Sequence, residues 1–160
     1  MLKAEQIKRR SAIIWLTGLL AGTLDILAAI AQTYLSGGKP VKMLQYIASG
    51  FFGEESFVGG IPYAFYGLVF HYAIAFAWTV LFFLIYPRMK FLKQNWLLTG
   101  AGYGAFIWIV MNLVVLPLSN VPQSSFDLKT AAIGMLILMV CVGLPLSYLA
   151  RRSCSMNKPA

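Results

Sequence analysis

Two ionisable side chains stand in stretches that otherwise carry no charge. Asp25 is the single charged residue between Ser11 and Gly38, and His71 is the sole Asp, Glu, Lys, Arg or His between Ser56 and Pro87. A carboxylate that faces an imidazole lowers the cost of burying either group. Such a pair can also relay a proton, because imidazole titrates near neutral pH. The alternative is a satisfied polar contact that fixes the register of two helices. Gly18, Gly22, Asp25, Ala29 and Gln32 recur at spacings of four and three and form one helical stripe of small and polar residues. Gly67, His71, Ala75 and Trp78 form a matching stripe.

A third group comes from Tyr103, Gly104, Trp108 and Asn112, which lie close to one helical face. Asn112 is expected either to reach the same pocket as Asp25 or to hydrogen-bond between helices. The candidates for binding or proton handling are therefore Asp25, His71, Asn112, Gln32 and Tyr103. Glu54, Glu55 and Asp127 read as solvated loop charges, with cation collection at a pore mouth as the alternative. The sequence has no GxSxG, HExxH, phosphate-binding loop or paired-Asp motif, so no nucleophile can be assigned and the chain leans away from an enzyme. Cys141 and Cys154 show no ligand spacing and are expected to be free thiols. No metal and no cofactor is expected.

The elements that hold these residues are legible from charge segregation. Hydrophobic residues make up 59% of the chain and charged residues 11%, against about 25% in soluble domains. A water-soluble fold could not cover itself with so little charge. Four stretches each reach the roughly 20 residues needed to cross a bilayer. They predict an all-α, integral membrane four-helix bundle in a single domain, residues 1–160. The helices are expected over about 12–35, 61–86, 96–118 and 131–150. Pro87 ends the second, because it lacks an amide donor and clashes with the preceding turn. Pro117 and Pro122 mark the exit of the third, and Pro145 is expected to kink the fourth. The N-terminus resembles a secretory signal, but its apolar run is long and contains Asp25, so an uncleaved first helix is expected.

Between the first two helices, Met43, Leu44, Ile47, Ala48, Phe51 and Phe52 recur at helical spacing, with Lys42, Gln45 and Ser49 opposite. This predicts a short amphipathic helix over 43–52, either in the outer interface or dipping into the bundle, with Gln45 and Ser49 turned away from the apolar face. The lysines and arginines are asymmetric. Ten lie in the N-terminal segment, the short second connection and the C-terminal tail, and three lie in the other two connections. That bias predicts both termini in the cytoplasm of a bacterial inner membrane. Trp15, Tyr86, Trp96 and Tyr148 are expected near the inner interface, and Tyr34 and Tyr63 near the outer one. The net charge of +8 is explained by this flanking pattern, without a nucleic-acid partner.

Several blocks resemble those of a group of small bacterial four-helix inner-membrane proteins. They are Ala21-Gly22-Thr23-Leu24-Asp25-Ile26, Leu44-Gln45 with Ile47-Ala48-Ser49-Gly50, then Gly53, Gly59-Gly60, Gly67-Leu68 and His71. Tyr103-Gly104, Met111-Asn112 and Pro117-Leu118-Ser119 complete them, over residues 18 to 119. The resemblance implies a membrane bundle and singles out Asp25, His71 and Asn112. It implies no reaction. Three functions stay open: a small transporter or proton-linked permeation protein, expected to be a homo-oligomer such as a dimer; a structural or accessory membrane protein; and a membrane-embedded enzyme acting on lipid. They part on whether Asp25 and His71 line a cavity or a dry helix seam.

Overall fold

The computed structural model describes residues 2–122 and 127–156. The chain is an all-α membrane protein. Four helices are long and apolar enough to cross a bilayer: Ser11–Leu35, Ile61–Ile85, Trp96–Leu118 and Leu128–Ser153. They are referred to below as the first to fourth spans. The first belongs to a longer helix, Leu2–Leu35. A linker helix, Pro40–Phe52, joins the first two spans. It begins three residues earlier than its apolar pattern predicts, because Pro40 is preorganised for a first helical turn.

Local chemistry sets the boundaries. Gly53 and Gly60 adopt φ of +64° and +71°, a region that favours glycine, and so end the linker helix and open the second span. Asn95 caps the third span by accepting the backbone N–H groups of Leu97 and Leu98. Asp127 caps the fourth by accepting from the backbone N–H of Thr130. Within the spans, the hydroxyls of Thr17, Thr33 and Thr79 donate to the carbonyls of Ile13, Ala29 and Ala75, so each polar group is satisfied inside its own helix.

The spans pack in the order second, first, fourth, third, with the linker helix against the second. Small residues allow this closeness. On the first span, Gly18 receives the ring of Phe76, and Gly22 sits against Tyr72 and Ala75. The third and fourth spans meet through Gly100, Gly104 and Gly143, where an added Cβ would strike the opposing backbone. The buried core gathers towards the end carrying the termini, around Phe82, Phe83, Tyr86, Leu146 and Ala150. Tyr86, at the end of the second span, is buried in this core. Leucines 16, 19, 20, 24 and 27 point outward, an apolar surface suited to lipid.

Both inner prolines are preceded by a π-helical segment, Met111–Val115 before Pro117 and Leu138–Gly143 before Pro145. The physical reason is the missing proline N–H, which strands the carbonyl four residues back. The ladder widens by one residue instead: Leu116 N–H donates to Met111 O, and Leu144 N–H donates to Met139 O.

The linker helix dips into the bundle with a face rotated from the one its apolar pattern indicates, the two sharing Ala48. Gln45, Ala48 and Ser49 are buried, whereas Phe51 is 71% exposed. Gln45 Nε2 donates to Gly60 O, and Ser49 Oγ donates to Tyr46 O. Their polar atoms are therefore satisfied inside, and lipid rather than water rewards an apolar outer face. A cysteine at Ser49 or Gln45 is expected to resist a water-soluble thiol reagent, and one at exposed Lys42 to react. Labelling Ser49→Cys as fast as Lys42→Cys would contradict this packing.

Candidate functional site

Asp25 and His71 each lie ten residues from the linker end of their spans, at Leu35 and Ile61. At about 1.5 Å per residue, both sit roughly 15 Å deep. The two stripes face each other, and the side chains meet. His71 Nε2 lies 4.0 Å from Asp25 Oδ2, at ion-pair distance. The hydrogen bond of the imidazole goes elsewhere: Nε2–H donates to the backbone carbonyl of Gly22 at 2.9 Å. Gly22 lies one turn before Asp25, with Tyr72 and Ala75 packed where a side chain would stand. Beside the pair, Thr23 Oγ1 and Tyr72 OH share a hydrogen bond of 2.9 Å. Among the described residues Asp25 accepts no hydrogen bond. A carboxylate so placed costs at least about 2.5–3.5 kcal/mol on insertion scales, and one imidazole at 4.0 Å is its sole ionic partner among the described residues.

Asp25 and His71 border a cavity of about 240 Å³. Its walls come from all four spans and the linker helix, through Ile47, Ala75, Trp78, Ile107, Met111 and Val142 among others. Most of these walls are apolar. Met111, Leu138 and Val142 belong to the two π segments, so the widened turns help shape the chamber.

Asn112 and Gln32 do not join that chamber. They line a second cavity of about 650 Å³ towards the linker end, with Tyr46, Trp108, Asp127 and Thr130. Asn112 Nδ2 donates to Trp108 O, four residues back, and so serves its own helix. The two cavities are neighbours, since consecutive residues wall them: Tyr46 and Ile47, Ile107 and Trp108, Met111 and Asn112. At the larger cavity the Thr130 hydroxyl and then its backbone N–H hold the Asp127 carboxyl below its usual range.

Tyr103 lines neither cavity. Its hydroxyl donates to Trp78 O at 2.7 Å, and its ring packs against Phe82 and Trp78. It supports the Trp78 wall from behind. Residue patterns missed Gly22 O as the partner of His71, because backbone acceptors leave no mark in a sequence. They also missed the part played by Tyr46, which lies off the apolar stripe of the linker helix, whereas Ile47 lines the chamber from that stripe. Cys141 is a free thiol, and Cys154 has a side chain outside the described residues.

The fold and the site define a multi-pass membrane protein with a carboxylate–imidazole pair beside a chamber in mid-span. Searches against protein-family models, curated proteins and solved structures return no match for the chain.

Proposed function

We propose that the chain is a small permeation protein that moves a solute in linkage with protons, with Asp25 and His71 as the proton-handling pair. The observation that carries this reading is the cavity. The pair borders about 240 Å³ of space between the helices, and a mere register contact needs no such chamber. Among the described residues the titratable groups around Asp25 are His71 and, beside it, Tyr72 on the second span, and Cys141 on the fourth. The third span and the linker helix contribute Ile107, Met111 and Ile47, which do not titrate.

The reading includes a setting and an assembly. The ten-to-three bias of basic residues supports a bacterial cytoplasmic membrane with both termini inside. Reporter fusions after Lys93 and Ala160 are expected to signal cytoplasm, and a fusion after Glu55 the opposite side. An external C-terminus would overturn this orientation. Phe82, Tyr86 and Leu146 are buried towards the end carrying the termini, and four spans leave little room for a path within one subunit. We infer a homodimer on that ground.

The test uses purified chain in liposomes loaded with a pH-sensitive dye. Asp25→Asn combined with His71→Gln removes both titrating groups while keeping similar shapes and hydrogen-bonding capacity. The double variant is expected to keep wild-type helicity and melting temperature and to lose at least about tenfold in potential-driven proton flux, equivalent to about 1.4 kcal/mol of barrier. Equal flux in the two proteins, or no flux in either, would leave the pair as a structural contact and the chain as an accessory protein.

A further inference from the structure

The geometry points to the chamber beside Asp25 as a binding site for a compact organic cation, an ammonium group on an apolar body. This rests on the permeation reading for its purpose but not for its chemistry. The first observation is charge. The chain has 13 Lys and Arg against 5 Asp and Glu, yet among the described residues neither cavity is lined by a Lys or Arg. Each has a single carboxylate, Asp127 in the larger and Asp25 in the inner one. A basic protein whose described residues place a carboxylate, and no Lys or Arg, in the wall of each of two neighbouring cavities favours cations along that route.

The second observation is the unfilled hydrogen-bonding capacity of Asp25. An ionised carboxylate accepts on both oxygens, and Asp25 accepts from none of the described residues. Its neighbour His71 gives the Nε2 proton to Gly22 O. An ammonium N–H in the chamber would supply the missing donor.

The third observation separates organic from inorganic cations. A hard metal ion gathers about six or more oxygen ligands. Among the described residues no group of three His, Cys, Asp or Glu stands together, and the carbonyl of Gly22 is already engaged. The apolar walls of Ala29, Ile74, Trp78 and Met111 cannot complete such a shell. They suit a hydrocarbon or aromatic body, and Trp is the side chain that best attracts a cation to its ring. At about 240 Å³ the chamber lies below the usual range for drug-sized ligands, about 300–1,000 Å³, so the body must be small. A zwitterionic lipid headgroup fits poorly, since its phosphate would stand against Asp25.

The test is equilibrium binding to the full chain in detergent, with 2-phenylethylammonium as probe. Its uncharged and anionic counterparts, 2-phenylethanol and phenylacetate, are the controls. The amine is expected to bind saturably below about 1 mM, the weak end of specific affinity. Phenylacetate should not bind, and the alcohol should bind at least about tenfold more weakly. Asp25→Asn is expected to weaken the amine at least about tenfold. Ala29→Phe, which fills the chamber and keeps the carboxylate, should do the same, so the site stays testable if one variant does not fold. A large excess of sodium chloride should not displace the amine beyond what an equal ionic strength of lithium chloride does. Saturable phenylacetate binding, unchanged amine binding in Asp25→Asn, or no saturable amine binding overturns the proposal. Amine binding without flux in liposomes would refute the permeation reading alone. Proton flux without amine binding would refute the ligand class alone.

Discussion

Gly143→Val is expected to prevent the chain from accumulating as folded, monodisperse protein, and Gly143→Ala to lower its melting temperature severely. A Cβ at Gly143 would stand 2.0 Å from Gly100 O and 3.0 Å from Gly104 N. The obstacles are backbone atoms, so no rotamer change relieves the clash. The reverse contacts agree: a Cβ at Gly104 would stand 2.4 Å from Met139 Cα. Hydrophobic burial does not draw helices together inside a bilayer, so association there rests on close packing and hydrogen bonds. Overpacking typically costs about 1–3 kcal/mol and sometimes more, and a backbone clash belongs at or above the top of that range. Against a total stability of about 5–15 kcal/mol that is a large loss. Gly102 provides the control, because a Cβ there meets nothing within 4 Å. Gly102→Val should match wild type within about 1 kcal/mol, the helix propensity difference. A Gly143→Ala protein that melts with wild type would show that the third and fourth spans are not pressed together at this point.

The same glycines show what a sequence reveals and what it hides. The four spans are legible because charge vanishes over four long stretches, a pattern that only lipid tolerates. The matched depth of Asp25 and His71 is legible by counting from Leu35 and Ile61. The spacing of Gly100 and Gly104 by four residues is also visible, but it gains meaning only once Gly143 is known to oppose it. Other features depend on three-dimensional circumstances. The linker helix turns Gln45 inward, because Gly60 O waits there to receive it, and Ser49 follows with its hydroxyl satisfied by Tyr46 O of its own helix. An apolar-inside rule learned in water misplaces that face. Asn112 stands one residue from Met111, yet it falls into the other cavity and bonds to its own helix. No periodicity separates those two outcomes.

The π segments link backbone to site. A regular helix through Leu138–Gly143 would rotate the residues on one side of Pro145 by about 100° per residue relative to the other, given 3.6 residues per turn. Gly143 would then leave Gly100, or Leu138 would leave the chamber. The widened turn lets Leu138 and Val142 border the cavity while Gly143 holds the third span. Proline at 145 is thus tied to the shape of the chamber as well as to the ladder of hydrogen bonds.

Gly67→Ala should loosen the linker helix and expose the chamber without unfolding the bundle. A Cβ at Gly67 would lie 1.9 Å from Leu44 O and 2.7 Å from Leu44 C. The linker helix must move away, because the obstacle is its backbone. Its hydrogen bond from Gln45 to Gly60 O, 2.9 Å long, would be strained or lost, and Ile47 would withdraw from the chamber wall. The core around Phe82, Phe83, Tyr86 and Leu146 lies towards the other end and keeps its contacts. The readout is a single cysteine at Ala29, a chamber-lining position, in a chain whose two native cysteines are replaced by alanine. Its reaction rate with a water-soluble thiol reagent is expected to rise at least about tenfold in Gly67→Ala, corresponding to about 1.4 kcal/mol in the cost of opening. Gly50→Ala is the matched control on the same helix, since a Cβ there meets only ordinary contacts, the nearest at 3.7 Å to Val121 Cγ2. If the rates in Gly67→Ala and Gly50→Ala are the same, the linker helix does not cover the chamber, and solute must reach Asp25 by another way.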